Sequence, residues 1–210
     1  MKKIILFDFD GTLADTLPHI YNVTNLTLKD LGYPQLTKEE FELLRNMNPL
    51  EIIAHFKFPL WKVPSLVKKV RSKLYSQVDK FKLFPGIEKL LLDLKFEDFQ
   101  LCILSTNSKE MADKFLELQQ LMIFDFIQCD PNIFKKSRLI RNFMKRNKID
   151  PNKAIYIGDE VRDIEACAQN NLDIISVTWG FNRAEALRKE NPTFIVDSPR
   201  EIYGLLKKLK

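Results

Sequence analysis

The sequence predicts a doubly wound α/β protein, a parallel sheet with helices on both faces, interrupted after its first strand by an all-helical insertion. Three observations carry this. Residues 3–7 are a short continuous apolar run with β-branched and aromatic members, the pattern of a strand buried on both faces. The next seventy or so residues carry only helix-like signals. From Gly86 onward, strand-like and helix-like stretches alternate, as a chain winding a parallel sheet requires.

The elements follow in order. After the first strand, residues 17–31 read as a helix stopped by Gly32 and Pro34. Thr37 followed three residues later by Glu40 is a capping box that opens a helix running to Arg45. Pro49 and the segment 56–59 (FKFP) are read as breaks. From Pro64, the spacing of Val67, Val70, Leu74 and Val78 makes one amphipathic stripe. Pro85 and Gly86 mark the return to the α/β pattern, with a helix over 86–95 and a buried strand over 100–105 (QLCILS). Helices are expected over 108–119, 137–147, 161–170 and 183–189, and strands over 124–128, 153–157, 173–178 and 193–196. Ile202, Leu205, Leu206 and Leu209 give a C-terminal helix its core-facing stripe.

Composition narrows the function classes. At 210 residues, with 45% hydrophobic and 29% charged residues, the chain has ample material for one core plus a small insert. The net charge of +5 comes from lysines and arginines spread along the chain, with no groove-binding motif, which points away from nucleic acid as a partner. Cys102, Cys129 and Cys167 are odd in number and far apart, the pattern of free thiols in a reducing compartment. His19 and His55 have no metal-ligand spacing. The apolar N-terminal run is broken at Asp8 and no stretch reaches membrane-spanning length, so no membrane partner is expected and the cytoplasm is the default location.

The residues at the predicted strand ends carry the chemistry. Asp8 and Asp10 flank Phe9 and precede Gly11 and Thr12, at the carboxyl end of the first strand where such sheets bind ligands. Two neighbouring carboxylates repel, so the arrangement asks for a divalent cation, a lysine or both. Taken alone, the same residues would only turn the chain. Ser105, Thr106, Asn107 and Ser108 close the second strand with hydroxyls and backbone N–H groups suited to phosphate oxygens, or to capping the next helix. Residues 158–163 (GDEVRD) follow another buried strand and hold three acidic side chains, more than a helix cap needs.

Together these segments resemble the haloacid dehalogenase superfamily of phosphatases, whose signature opens with DxDGT, matched by Asp8 to Thr12. The superfamily continues with a Ser or Thr ending a strand, a lysine, and a GDxxxD loop, and all appear here in that order. The resemblance implies a Rossmann-like core over 1–14 and 84–210, with a helical cap over 15–83 similar to those of phosphoglycolate phosphatase-like and β-phosphoglucomutase-like members. It makes Asp8 the nucleophile, Asp10 the general acid and base, and Lys136 the cation that binds the phosphoryl group. It gives Mg²⁺ the Asp8 carboxylate, the Asp10 carbonyl and Asp159, with Asp163 and the weaker candidate Glu160 in support. Ser105 takes the phosphate-binding role, or Thr106 if the register slips by one, with Asn107, Gly11 and Thr12 nearby. The implied substrate is a small phosphorylated metabolite, with phosphoglycolate one possibility.

Within the cap, Arg45 and Asn46 could reach a substrate or could be a solvated helix face. The segment Trp179, Gly180, Phe181 and Asn182 could line the site or simply pack. The same motifs would also serve a phosphomutase of the β-phosphoglucomutase type or a non-catalytic phosphate-binding module. Asp10 disfavours a haloacid dehalogenase, since those members generally lack the second aspartate and need no metal.

Overall fold

Each apolar run read as a strand becomes one in the computed structural model, which describes residues 3–209. They are β1 (Ile4–Phe7), β2 (Gln100–Ser105), β3 (Phe126–Cys129), β4 (Ala154–Gly158), β5 (Asp173–Val177) and β6 (Phe194–Val196). All pair in parallel, in the order β3-β2-β1-β4-β5-β6. This is a Rossmann-like α/β core.

The two faces of the sheet separate by the two-residue period of the strands. Ile5, Phe7, Ile103, Ile155 and Ile157 pack under α5 (Ile87–Phe96), α6 (Lys109–Leu118) and α10 (Pro199–Leu209). Leu6, Cys102, Leu104 and Tyr156 meet α7 (Lys136–Arg146) and α8 (Val161–Ala168) on the other face. The short α9 (Ala184–Lys189) joins that second layer through Ala186 and Leu187. Every one of these strand side chains is fully buried, and full burial of each large apolar one contributes about 1.5–3 kcal/mol.

Between β1 and β2 the chain forms the helical insertion: α1 (Leu17–Asp30), α2 (Lys38–Leu44), α3 (Pro49–His55) and α4 (Val63–Tyr75), then α5. Thr37 caps α2 with the expected reciprocal bonds, Glu40 N–H to Thr37 Oγ1 at 3.1 Å and Thr37 N–H to Glu40 Oε2 at 2.8 Å. The insertion leaves and rejoins the core at one place. Ala14 and Leu83 form an antiparallel bridge, Asp15 N–H donates to Lys82 O at 2.8 Å, and Phe84 N–H donates to Leu13 O at 3.1 Å.

Helix α3 corrects the sequence reading, which took Pro49 as a break. Pro49 instead occupies the first turn, where its missing N–H costs nothing. Asn48 and Glu51 form a second capping box, with Asn48 N–H to Glu51 Oε2 at 2.7 Å and Glu51 N–H to Asn48 Oδ1 at 3.0 Å. The stripe through Val78 is also split: α4 ends at Tyr75, and Val78 opens a separate 3₁₀ turn, Val78–Lys80. Cys102 and Cys167 are buried free thiols and Cys129 is a half-buried one. Among the described residues no helix is long and apolar enough to cross a membrane.

Candidate active site

The sheet order reverses between β1 and β4, whose ends Phe7 and Ile157 are register partners. At such a switch point the connecting loops part and leave a crevice at the carboxyl ends of the strands. Asp8 continues the ladder by one bond, its N–H to Ile157 O at 2.9 Å, and so emerges beside the loop carrying Asp159. Phe9, between the two aspartates, is fully buried against Phe115 with ring centroids 5.2 Å apart, which pins this loop from below.

Asp8 is almost fully buried. Its Oδ1 accepts from Phe9 N–H at 2.7 Å and its Oδ2 from Lys136 Nζ at 2.6 Å. Lys136, the first residue of α7, also lies 3.0 Å from Asp163 Oδ1 and stands 5.3 Å over the Tyr156 ring. Burial works against the lysine's charge, but Asp163 and Asp8 outweigh it and raise its pKa, so Lys136 is an ammonium. Tyr156 is held in place by its hydroxyl's bond to Leu104 O at 2.9 Å.

Asp159 is fully buried and held on several sides. Thr12 Oγ1 donates to its Oδ1 at 2.7 Å, and Phe181 N–H donates to its Oδ2 at 2.7 Å. Gly11, at φ +74°, lies so close that a Cβ there would sit 2.1 Å from Asp159 Oδ2. A Cβ on Gly180 would sit 2.2 Å from the same oxygen. Burial raises the pKa of Asp159 well above the carboxylate range, and the charges of Glu160, Asp8 and Asp163 add to this. Burial raises Asp163 as well, in spite of Lys136.

Asp10 turns away from this cluster. Its Oδ2 accepts from Asn107 Nδ2 at 2.8 Å. Burial, then the charge of Asp8, pushes its pKa up to about 6. Asn107, grouped by the resemblance with phosphate ligands, thus holds the second aspartate, as Thr12 holds Asp159. Ser105 Oγ accepts Asn107 N–H at 3.0 Å within its own turn. Alternation along β2 sends Leu101 and Ile103 to one face and Cys102 and Leu104 to the other, and the next residue on the face of Leu104 is Thr106. Both hydroxyl residues are buried.

Glu160 opens α8 and pairs with Arg162, Nη2 to Oε1 at 2.6 Å. Its own N–H donates to Asp163 Oδ2 at 3.1 Å, and Gly158 has no room for a side chain beside Asp163. Arg45 is not solvated. Its Nε and Nη2 donate to Phe181 O and Gly180 O at 2.8 and 2.9 Å, joining the insertion to the loop after β5. In that loop Trp179 Nε1 donates to Thr12 O at 3.2 Å, and Asn182 is buried with its Oδ1 accepting Val161 N–H at 2.9 Å.

Sequence reasoning passed over Arg162, Tyr156 and Arg71. Arg71, on α4, donates to the carbonyls of Thr106 and Pro131 across the crevice. Arg162 lay inside a quoted motif, where its position three residues after Asp159 was the available signal.

Asp8, Asp159 and Asp163 each offer an oxygen within 4.8 Å of the others, in a buried place where their charges oppose one another. Lys136 offsets only part of the negative charge of these three carboxylates, and the oxygen-rich cluster fits a hard divalent cation. Beside it, a cavity of about 280 Å³ opens between insertion and core. It is floored by Asp10 and Gly11, walled by Ile20, Ile52 and Phe181, and edged by Arg162.

Fold and site together define a hydrolase of known type: the chain belongs to the haloacid dehalogenase-like hydrolase family, whose model matches residues 5–177. It is 32% identical over 208 residues to the phosphoglycolate phosphatase of Synechococcus elongatus, covering 99% of this chain and 98% of that one. A phosphoglycolate phosphatase of Aquifex aeolicus is 30% identical over 213 residues, covering 97% and 96%. Among solved structures, a predicted phosphatase from Clostridium acetobutylicum superposes with a TM-score of 0.87 at 25% identity, covering 99% of each chain. The protein is a phosphatase of this family.

Proposed function

We propose that the protein is a Mg²⁺-dependent phosphatase that hydrolyses a small phosphate monoester carrying a second anionic group, such as phosphoglycolate, through an aspartyl-phosphate on Asp8. The observation that carries this reading is the unequal treatment of two neighbouring carboxylates. Asp8 is held against an ammonium at 2.6 Å, while Asp10, a pleat away, has its pKa raised to about 6. Such a split suits one group to attack and the other to carry a proton.

Asp8, Asp159 and the Asp10 backbone carbonyl would hold the cation, with Asp163 supporting them. Bound there, Mg²⁺ supplies positive charge that lets an anionic nucleophile approach an anionic phosphate. In the first step an Asp8 carboxylate oxygen attacks phosphorus, the bond from phosphorus to the alcohol oxygen breaks, and protonated Asp10 gives its proton to that oxygen. In the second, Asp10 takes a proton from water as the water attacks phosphorus, and the Asp8 carboxylate leaves. Lys136 neutralises the phosphoryl group as a fixed point charge. Thr106, on the face of Asp8, is a better placed hydroxyl for the phosphate than Ser105, whose oxygen closes its own turn.

Residues 15–83 serve as the cap over a core of 1–14 and 84–210, and exclude water from the alcohol's departure. The cavity of about 280 Å³ has room for a small metabolite. Arg162 edges that cavity with its Nη1 and Nη2 held by Ile133 O and Glu160, and its positive charge suits a substrate with a second anionic group. The similarity to two phosphoglycolate phosphatases at 30% identity or more supports the same substrate class.

The test is phosphate release from a panel of phosphate esters, with Mg²⁺ or with chelator, for wild type and Asp8→Asn. Selective release from a carboxylated ester that needs Mg²⁺ and vanishes in Asp8→Asn is expected. Activity that survives Asp8→Asn overturns the mechanism, and isomerised sugar phosphate without free phosphate would make the protein a mutase.

A further inference from the structure

We propose that Arg45, on the insertion, is a positioning residue for Asp159, so that closing the insertion and binding the cation reinforce each other. This rests on the cation-dependent phosphatase reading above and adds a coupling to it. The geometry turns on one peptide group. Arg45 Nη2 donates to Gly180 O at 2.9 Å, and the N–H on the opposite edge of that same peptide plane, Phe181 N–H, donates to Asp159 Oδ2 at 2.7 Å. A peptide unit is planar and stiff, so its C=O and N–H turn together. Rotating the plane away from the guanidinium takes the donor away from the carboxylate.

The surrounding contacts fix the plane from both sides. Arg45 Nε holds the next carbonyl, Phe181 O, at 2.8 Å, and its backbone carbonyl accepts Asn182 Nδ2 and Arg183 N–H, each at 2.9 Å. Arg45 Nη1 lies 3.2 Å from Glu42, which orients the guanidinium, and the side chain is only 11% exposed. On the core side, Asn182 N–H donates to Asp159 O at 3.3 Å, and Gly180 approaches Asp159 too closely for any side chain. Glycine also makes this peptide the easiest in the loop to rotate once Arg45 withdraws. A guanidinium on the carbonyl polarises the peptide and strengthens its N–H as a donor to Asp159. A donor that fixes the orientation of a ligand carboxylate favours the cation that the carboxylate would hold.

Because the coupling is a free energy, it must act in both directions. An insertion docked through Arg45 tightens cation binding, and the cation tightens the docking by the same factor.

The experiment is calorimetric titration of Mg²⁺ into chelator-stripped wild type, Arg45→Ala, Arg45→Lys, Arg183→Ala and Asp159→Asn, each checked by circular dichroism. Arg183 also bridges to the insertion, but its guanidinium pairs with Glu42, while the carbonyl of the 180–181 peptide is held by Arg45. Arg45→Ala should weaken Mg²⁺ binding about tenfold, a coupling of ordinary size, and Arg45→Lys by less, while Arg183→Ala stays within about twofold. In parallel, Mg²⁺ should protect the insertion from limited proteolysis in wild type and much less in Arg45→Ala, a readout available even if one variant folds poorly. If Arg45→Ala lowers thermal stability in chelator yet binds Mg²⁺ as tightly as wild type, Arg45 only docks the insertion and the proposal is wrong. If wild type binds no Mg²⁺, or Asp159→Asn binds it equally well, the cation-dependent reading itself falls.

Discussion

Asp10 shows how much at this site depends on one side chain's surroundings. Its pKa is raised from 3.8 to about 6, so the folded protein binds more protons than the unfolded chain across that interval. The contribution of Asp10 to stability is therefore greatest below pH 3.8 and is lost as pH rises through about 6. A rise of that size would be worth about 3 kcal/mol, and the remaining contact of Asp10 with solvent brings this to about 1–2 kcal/mol. In chelator, Asp10→Asn should therefore be more stable than wild type at pH 7 and show a shallower loss between pH 4 and 6.5 in thermal melts. Slope left in the variant belongs to Asp159 and Asp163, whose pKa values are also raised. Lys136→Ala should have the opposite effect at pH 7, because it strips the buried Asp8 and Asp163 of their cation. A loss of about 3–5 kcal/mol in urea unfolding is expected, with activity reduced to near background. The carboxylates could be picked out from the sequence because acidic residues are costly at strand ends, whereas Lys136, at a helix start, stood out only through the family resemblance. The use of Thr12 and Asn107 could not, since a hydroxyl or amide beside an aspartate suits a phosphate oxygen and a carboxylate equally.

At the scale of elements, the loop from β1 to the insertion is held by Phe9 from below and by glycine approaches from above. Phe9→Ala empties a fully buried aromatic site against Phe115 and should cost about 3–5 kcal/mol in urea unfolding, with both flanking aspartates displaced. Strand and helix types in the core were legible because short continuous apolar runs alternate with stretches of helical period, even where, as over residues 87–130, no Gly or Pro separates them. Helix α3 was not, because Pro49 reads as a breaker until Asn48 and Glu51 are recognised as its cap. The direction of Arg45 was equally hidden. Its partners Gly180 and Phe181 lie more than 130 residues away, and no local pattern says which way a residue at a helix end will face.

For the whole molecule, the deciding fact is the strand order. The sequence places Asp8 and Asp159 after two different strands, and they become one site only because β1 and β4 are neighbours. Nothing local in the chain states that adjacency. The insertion joins the core through the paired segments at Ala14 and Leu83, and closes on it through Arg45 on one side and Arg71 on the other. Arg71→Ala should loosen that second contact and raise KM several-fold in steady-state assays, while melting changes by no more than about 2 kcal/mol, the scale of one or two charged hydrogen bonds. The central claim is that the phosphoryl group passes through Asp8. The most direct measurement is acid-quenched mass spectrometry of Asp10→Asn after reaction with an aryl phosphate and Mg²⁺. An aryl leaving group needs no proton from residue 10, so the first step proceeds, while the second lacks its base. One phosphoryl group should accumulate on the peptide carrying Asp8, and Asp8→Asn should show none. Phosphate released at the wild-type rate with that peptide unmodified, or a phosphoryl group found on another residue, would contradict the account.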